Sequence, residues 1–440
     1  RYVWTVRVRD ERGAWSGWAD PAFFETTLLE GSPWPVSWIG APDFTDVAAC
    51  FRRDFELAVR PDRARLCVAT PAWAEISVNG RRVDDRTHDP AWTDPNHRLL
   101  YSTFDIGAFL GPGANTLGVM LGNGWYRSSL FNTPHRCLPF SLLVMIWEEG
   151  RPRLCVGTNS RGWWASTQGP VRQNDIYNGE QDDARCAMPG WDRPGFRMEP
   201  AGGWKPALPL EPPAGRLKAQ ALEPIRPVEE RVPLRSWALD ERTRVYDFGV
   251  NFSGRLRLVL RGIADAALRL RHAETVDAAG RLQVENLRCA ANTDRYVSRG
   301  DPREIFEPRF TGHGFRYAEI EGDPALLEGL EVRAVHVRSA VRSIGHFSCS
   351  DERLNRIHAI AVRTEANNLH GLPTDCPQRD ERLGWLNDMT VRAEEAVHNF
   401  GLDRLYEKWI DDIADTQGGV TGAIADTAPA FRFGRAPADP

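Results

Sequence analysis

Several features that would fix a chemistry at once are missing from this sequence. It has no CxxC pair and no cysteine–histidine cluster, so the common zinc frameworks are excluded and no metal is expected. Its eight cysteines (Cys50, Cys67, Cys137, Cys155, Cys186, Cys289, Cys349 and Cys376) are scattered over 440 residues. That spacing does not indicate a disulfide scaffold, and reduced thiols are expected. Basic residues are not in excess: 55 Lys+Arg face 60 Asp+Glu, for a net charge of −5. The positive footprint of a nucleic-acid or anionic-membrane partner is absent, and neither partner is expected. The longest apolar stretches, such as Leu138 to Trp147, fall well short of the ~20 residues of a membrane helix. No initiator Met and no apolar leader open the chain, so no export signal is visible. Together with the scattered thiols this predicts a cytoplasmic protein. There is no tandem repeat, and no phosphate-cradling glycine loop. No cofactor is implied.

What is present is an ordinary globular balance, 42% hydrophobic and 26% charged, in a chain long enough for two to four domains. Tryptophan is plentiful, 16 against 8 tyrosines. Flat indoles suit the apolar faces of sugars, and they suit cores and sheets equally. Up to about residue 340 the pattern is that of strands. Leu66–Thr70, Ala74–Val78, Thr116–Leu121 and Phe140–Trp147 alternate or run apolar, punctuated by Asn79-Gly80, Gly111-Pro-Gly113 and Glu149-Gly150. Such spacing predicts antiparallel sandwiches. Pro200 to Pro213, with Pro206, Pro209 and Pro212, predicts a linker. Strands resume from Arg255 and close with Val332–Val337.

Near Ser350 the period becomes helical. Ser350 suits an N-cap before Asp351 and Glu352, and Leu354, Ile357, Ala361 and Thr364 share a face. Further helices are expected over 389–400 and from Leu402 to about Gly418. The expected division is 1–35, 36–200, a linker over 201–222, 223–340 and 341–440. Arg1–Arg9 reads as a strand from inside a sheet, and Phe431–Pro440 is an Arg/Pro/Gly loop. Both ends are therefore expected to be cut, leaving apolar helix faces exposed around Trp409 and Ile413.

The segment Pro373-Thr-Asp-Cys-Pro-Gln-Arg-Asp-Glu-Arg-Leu-Gly-Trp-Leu-Asn-Asp388 is unlike a solvated loop. It packs Asp375, Asp380, Glu381 and Asp388 among Arg379, Arg382 and Trp385, between prolines. Fixed polar groups at a helix junction suggest a site, and a structural ion-pair knot is the competing explanation. The loop has no Ser or His to complete a nucleophile–base pair. Paired carboxylates beside an indole suit glycoside hydrolysis, in which one carboxylic acid protonates the leaving oxygen. A hard cation on these acids would be opposed by the two guanidinium groups.

Asp375-Cys-Pro-Gln-Arg-Asp-Glu-Arg-Leu-Gly-Trp385 closely resembles the signature of bacterial α-L-rhamnosidases of glycoside hydrolase family 78. The resemblance extends along nearly the whole chain. Trp4 to Phe24 is similar to the end of a fibronectin-type module. Asn79-Gly80, Pro90-Ala-Trp-Thr93, Gly122-Asn-Gly-Trp-Tyr126, Asn178-Gly-Glu180 and Asp183-Ala-Arg185 are similar to an ancillary β-sandwich that binds rhamnose in some members. Tyr246–Gly249, Asn286-Leu-Arg288, Phe306–Phe310 and His313–Tyr317 resemble the β-sandwich before the catalytic domain.

The resemblance implies a multidomain fold: N-terminal β-sandwich domains, then the beginning of an (α/α)6 barrel. It implies inverting hydrolysis of terminal α-L-rhamnose from a glycoside or polysaccharide. Glu381 matches the general acid, and Asp375, Arg379, Trp385 and Asp388 match positions that hold the sugar. The general base would lie further along the barrel, beyond Pro440. Each residue also has a plainer role open to it: Asp388 could cap the following helix, Arg379 could neutralise Asp380, and Trp385 could be core. Gln181-Asp182 stands where the ancillary module is expected to carry an aromatic residue. A non-catalytic carbohydrate-binding protein, or an inactive fragment, is the alternative. A general acid must carry its proton at working pH, so Arg379 and Arg382 are expected to point at the aspartates rather than at Glu381.

Overall fold

The structure, a computed structural model, describes residues 2–26, 34–43, 46–129, 137–159, 161–198, 203–419 and 421–430. The expected terminal loop, 431–440, lies outside the described residues. The chain divides into two compact units, Arg1–Pro35 and Val36–Pro440. In the first, Tyr2–Trp4 pairs antiparallel with Ala22–Phe24. Its turn is set by Asp10, whose Oδ1 accepts from the backbone N–H groups of Arg12 and Ala14 at 3.0 and 2.7 Å. The Arg7 guanidinium lies over both Trp15 and Trp18, 4.4 and 4.7 Å from the ring centroids, a cation–π arrangement.

The second unit begins as two packed sheets. One has five strands in the order Arg151–Gly157, Ser141–Glu148, Arg63–Ala69, Arg98–Asp105, Arg216–Ala219. The other has six and is centred on Ala49–Leu57 and Gly113–Gly122. Alternate residues of both turn inward, so Leu66, Val68, Leu142 and Val144 meet Phe51, Leu117, Val119 and Leu121 in one core. The proline-rich stretch is not a free linker. Lys205–Pro206 pairs with Trp164–Ala165, Leu208–Leu210 with Trp38–Gly40, and Arg216–Ala219 lies parallel to Arg98–Tyr101. A proline lacks only a donor, so it is tolerated at the outer side of an edge strand.

The second β block also departs from expectation. Instead of two sheets it forms one ten-stranded sheet. Its spine is Thr243–Leu260, 18 residues long. The first half pairs with Arg235–Ala238 and His313–Gly322, the second with Glu331–Ser339 and Glu304–Phe306. Register shifts between Asp247 and Phe252, where Gly249 has φ +81°. Such an irregularity bends a strand, and the sheet curls around Phe248, Phe252, Leu256, Leu270, Phe315 and Ile320. The hairpin Val171–Asp175/Gly179–Asp183 joins this sheet rather than the first pair, lying parallel to Thr293–Val297.

Four helices follow residue 350 among the described residues: Glu352–Asn367, Leu386–Thr390, Ala393–Asn399 and Asp403–Thr416. Asp351, not Ser350, is the N-cap of the first, accepting from the Arg353 N–H at 2.8 Å. The helix expected over 389–400 is two short ones, parted at Val391 and Arg392. Leu354, Ile357 and Ile360 are exposed along one face, as is Ile410. Trp409 and Ile413, however, keep neighbours. Trp409 is buried and its indole N–H donates to Ala428 O at 2.9 Å, and Ile413 packs partly buried against the same cluster. The cause is an anchor invisible in the local pattern. Arg98, from the five-stranded sheet, is fully buried among Asp411, Asp412 and Asp415 at 2.7, 2.6 and 2.9 Å. Lys408 completes the cluster, 2.6 Å from Asp412. Among the described residues no helix is long and apolar enough to cross a membrane.

Candidate active site

The loop from Asn368 to Trp385 is built as a fixed object. Asp375 ties its ends together: its N–H donates to Leu383 O at 3.0 Å, and its Oδ1 accepts from Leu383 N at 2.8 Å. Arg382 has φ +58° and is buried. Among the described residues its guanidinium donates only to neutral acceptors: Gly312 O at 2.6 Å, Asn292 Oδ1 at 2.7 Å, Arg379 O at 3.0 Å, Gln378 O at 3.1 Å and Ile176 O. Tyr177 donates its hydroxyl to Glu381 O at 2.9 Å, and Asn292 Nδ2 donates to Gln378 O at 2.7 Å. Gly314 lets the loop come close, since a Cβ there would sit 2.8–2.9 Å from Pro377 and Gln378. The curled sheet and its hairpin therefore hold the loop through hydrogen bonds to its backbone.

Three of the residues singled out from sequence meet directly. Arg379 Nε lies 2.7 Å from Glu381 Oε2, and its Nη2 lies 3.6 Å from Asp375 Oδ2. Arg288, from the turn after Glu285–Leu287, also reaches Glu381 Oε2 at 3.1 Å, with Asp380 at 3.7 Å. Asp380 accepts from Cys289 N at 3.2 Å. This corrects the expected orientation: Glu381 is the carboxylate that two guanidinium groups address, and Arg382 addresses none. Burial is the reason. Arg382 lies too deep to meet the rim carboxylates and is spent on carbonyls, which leaves Arg379 and Arg288 for Glu381.

The Asp375 side chain is 2% exposed, and burial raises its pKa. Burial also pushes the Cys376 thiol up to about 12, so it stays protonated and is neither a nucleophile nor a ready metal ligand. Asp375, Cys376 and Glu381 lie close enough to cup a cation, but the Arg379 guanidinium occupies that position. Trp385 is half-buried, bridged through its backbone to Thr427. Asp388 is exposed in the first turn of Leu386–Thr390 and caps nothing, the N-cap position being Trp385. The arrangement offers a carboxylate proton carrier, a buried carboxyl beside it and guanidinium donors for a polyol.

Comparison with known proteins identifies this architecture. The α-L-rhamnosidase N-terminal domain matches residues 59–229, and the bacterial α-L-rhamnosidase concanavalin-like domain matches 238–338. The bacterial α-L-rhamnosidase 6 hairpin glycosidase domain matches 342–439. The chain belongs to the bacterial α-L-rhamnosidase family. A Rha78A-like, N-terminal immunoglobulin domain matches residues 1–30, where a fibronectin-type module was expected. Most strands of the curled sheet fall within the concanavalin-like match. The α-L-rhamnosidase of Streptomyces avermitilis is 32% identical over 432 residues, covering 94% of this chain and 41% of the relative. The solved α-L-rhamnosidase of Dictyoglumus thermophilum is 33% identical with TM-score 0.89, over 97% of this chain and 49% of that one. The Streptomyces avermitilis enzyme complexed with L-rhamnose has 31% identity and TM-score 0.81, over 88% and 37%. The chain spans about 41–48% of the length of the curated α-L-rhamnosidases it matches.

In this rhamnosidase-family chain, Arg288, Tyr177, Asn292 and Arg382 support the loop, and sequence reasoning missed those roles. Asn286-Leu-Arg288 stood out only as part of the resemblance, with nothing local to mark Arg288 as a neighbour of residue 381. His272 lies behind the loop and His370 near its start, and burial lowers the pKa of both imidazoles to about 3, with Arg382 contributing. A folded value below the ordinary ~6.5 means neutral rings. Their contribution to stability is present above that pH and lost as pH falls toward 3. Histidine-resolved NMR of the folded protein is expected to find both neutral from neutral pH through mild acid. An ordinary titration of either would overturn this.

Proposed function

We propose that the protein is an α-L-rhamnosidase that releases terminal rhamnose by inversion. Glu381 acts as general acid, while Asp375, Arg379, Trp385 and Asp388 hold the sugar. The observation that carries this is the Asp375–Arg379–Glu381 cluster, on a loop braced from beneath, in a chain of this family. The carbon-6 methyl and flat face of rhamnose suit Trp385, and its hydroxyls suit a carboxyl and a fork of N–H donors. In the free protein Glu381 is paired, so proton donation requires an incoming sugar to take over a guanidinium partner. Arg379 has a second carboxyl within reach in Asp375, which makes it the group that changes hands.

The helices after residue 341 are read as the beginning of an (α/α)6 barrel, supported by the hairpin-domain match over 342–439. They follow domains at 1–35, 36–200 and 223–340. The general base of inversion is assigned to no residue of this chain. The substrate is a rhamnose-bearing glycoside or polysaccharide. Eight free cysteines support a cytoplasmic compartment. NMR during hydrolysis of an aryl α-L-rhamnoside tests the reading. β-L-Rhamnose is expected first, with the α anomer growing in later by mutarotation. Initial α-L-rhamnose would refute inversion, and no release of rhamnose by a protein that also carries the general base would refute the enzyme.

A further inference from the structure

A cleft of about 440 Å³ opens on the curled sheet, lined in part by Arg172, Arg242, Arg269 and Arg295. Its floor is a row of long polar side chains across four neighbouring strands. Gln181 stands opposite Arg295, Arg295 opposite Arg269, and Arg269 opposite Glu321. Directly opposed residues share a face, so the row projects into one space. Two arginines directly opposite each other repel, and in this row Glu321 pairs only with Arg269.

The charges around the cleft do not cancel. Among the described residues no carboxylate forms an ion pair with Arg172, Arg242 or Arg295. Arg172 is fixed instead by donating to Thr167 O at 3.1 Å and Gly169 O at 2.9 Å. Asp183 is taken by Arg185 at 2.7 Å, which also holds Asp265 at 2.6 Å. Asp182 alternates to the other face of its strand, opposite buried Tyr296 and within the field of Arg309. Asp182, Asp183 and Glu321 also line the cleft and Asp183 lies in the field of Arg172, but the three guanidinium groups of Arg172, Arg242 and Arg295 form no direct ion pair there among the described residues. Planar N–H forks of this kind match a carboxylate or a sulfate with paired hydrogen bonds.

The cleft is connected to the loop by two strands. Gly179–Asp183 starts just beyond Tyr177, which holds Glu381, and Thr293–Val297 starts just beyond Asn292, which holds Arg382. Four residues of strand cover about 13 Å, within reach of a short saccharide chain. We propose that this cleft is a second saccharide site, for a carboxylate- or sulfate-bearing sugar unit of a polymer whose rhamnose occupies the Glu381 loop. The proposal rests on the rhamnosidase reading for its ligand class, and its test does not depend on catalysis.

Isothermal titration of the chain would use an oligogalacturonate, a sulfated galactan oligosaccharide and the neutral galactan oligosaccharide. Binding is expected for at least one charged probe and not for the neutral one, and should weaken as salt is raised. Whichever charged probe binds identifies the anion. Arg242→Ala/Arg295→Ala should weaken that binding at least tenfold, and Arg242→Lys/Arg295→Lys should restore part of it. Both positions are exposed, so circular dichroism should be unchanged. Equal binding of charged and neutral probes, no binding of either charged probe, or a double alanine variant that binds like the wild type would each overturn the site. Any of these leaves the role of Glu381 standing, and failure of Glu381→Gln to impair hydrolysis would refute Glu381 as the acid without touching the cleft.

Discussion

In the complete enzyme, with its general base in place, Glu381→Gln is expected to lower cleavage of natural rhamnosides by roughly 100- to 10,000-fold, the usual worth of a positioned general acid. Glutamine keeps the shape and can still accept from Arg379 and Arg288, but it has no proton to give. Sugar binding should therefore survive while turnover collapses. An aryl rhamnoside, whose leaving group needs little protonation, should suffer much less. That contrast separates lost acid catalysis from a disturbed fold. Asp380→Asn is the control. Asp380 accepts from Cys289 N at 3.2 Å and lies 3.7 Å from Arg288, so it supports the loop at its edge and its amide should cost far less. Steady-state kinetics on both substrate types would decide. Near-normal turnover in Glu381→Gln with a collapse in Asp380→Asn would move the acid by one residue. No effect from either would reduce the cluster to an ion-pair knot.

Arg382→Met is expected to destabilise the fold by about 3 kcal/mol or more, and to abolish activity with it. The substitution keeps an unbranched apolar stem but orphans acceptors at Gly312, Ile176, Arg379 and Asn292, while Gln378 O keeps its bond from Asn292. Each buried acceptor left without a donor costs on the order of 1–3 kcal/mol. Removing a buried cation returns part of this, because burial already disfavours the charge and lowers the Arg382 pKa. Arg382→Lys should rescue little, since one ammonium cannot span a fork of acceptors facing different directions. Urea unfolding followed by fluorescence would measure the loss. A variant with unchanged midpoint would show that the loop holds its shape without this guanidinium.

Both effects concern residues that lie side by side in the sequence, yet only one of them announced its role there. The density of carboxylates, guanidinium groups and prolines in 373–388 is a local property, so the loop was legible as a site. The period changes near residue 350 and the alternation of strands before it are also local, and they correctly divided β from α. The direction of each guanidinium was not legible. Arg379 and Arg382 are three positions apart in one loop. The first ends on Glu381 because it stays at the rim, and the second on carbonyls because three other segments close over it.

The same limit explains the other differences. Prolines at 206 and 209 looked like a linker because sequence shows their missing donors but not whether a sheet edge is waiting for them. Thr243–Leu260 looked like part of a sandwich because alternation is identical in a flat sheet and a curled one. The bend depends on which strands pair with each half. Trp409 looked stranded because Arg98, more than 300 residues earlier, gives no local hint that it will neutralise three aspartates. The sequence by itself determined the order of β and α segments, the family and the loop that carries the candidate acid. Tertiary structure alone decided which cation meets which carboxylate, because that choice depends on burial and on distances between residues far apart along the chain.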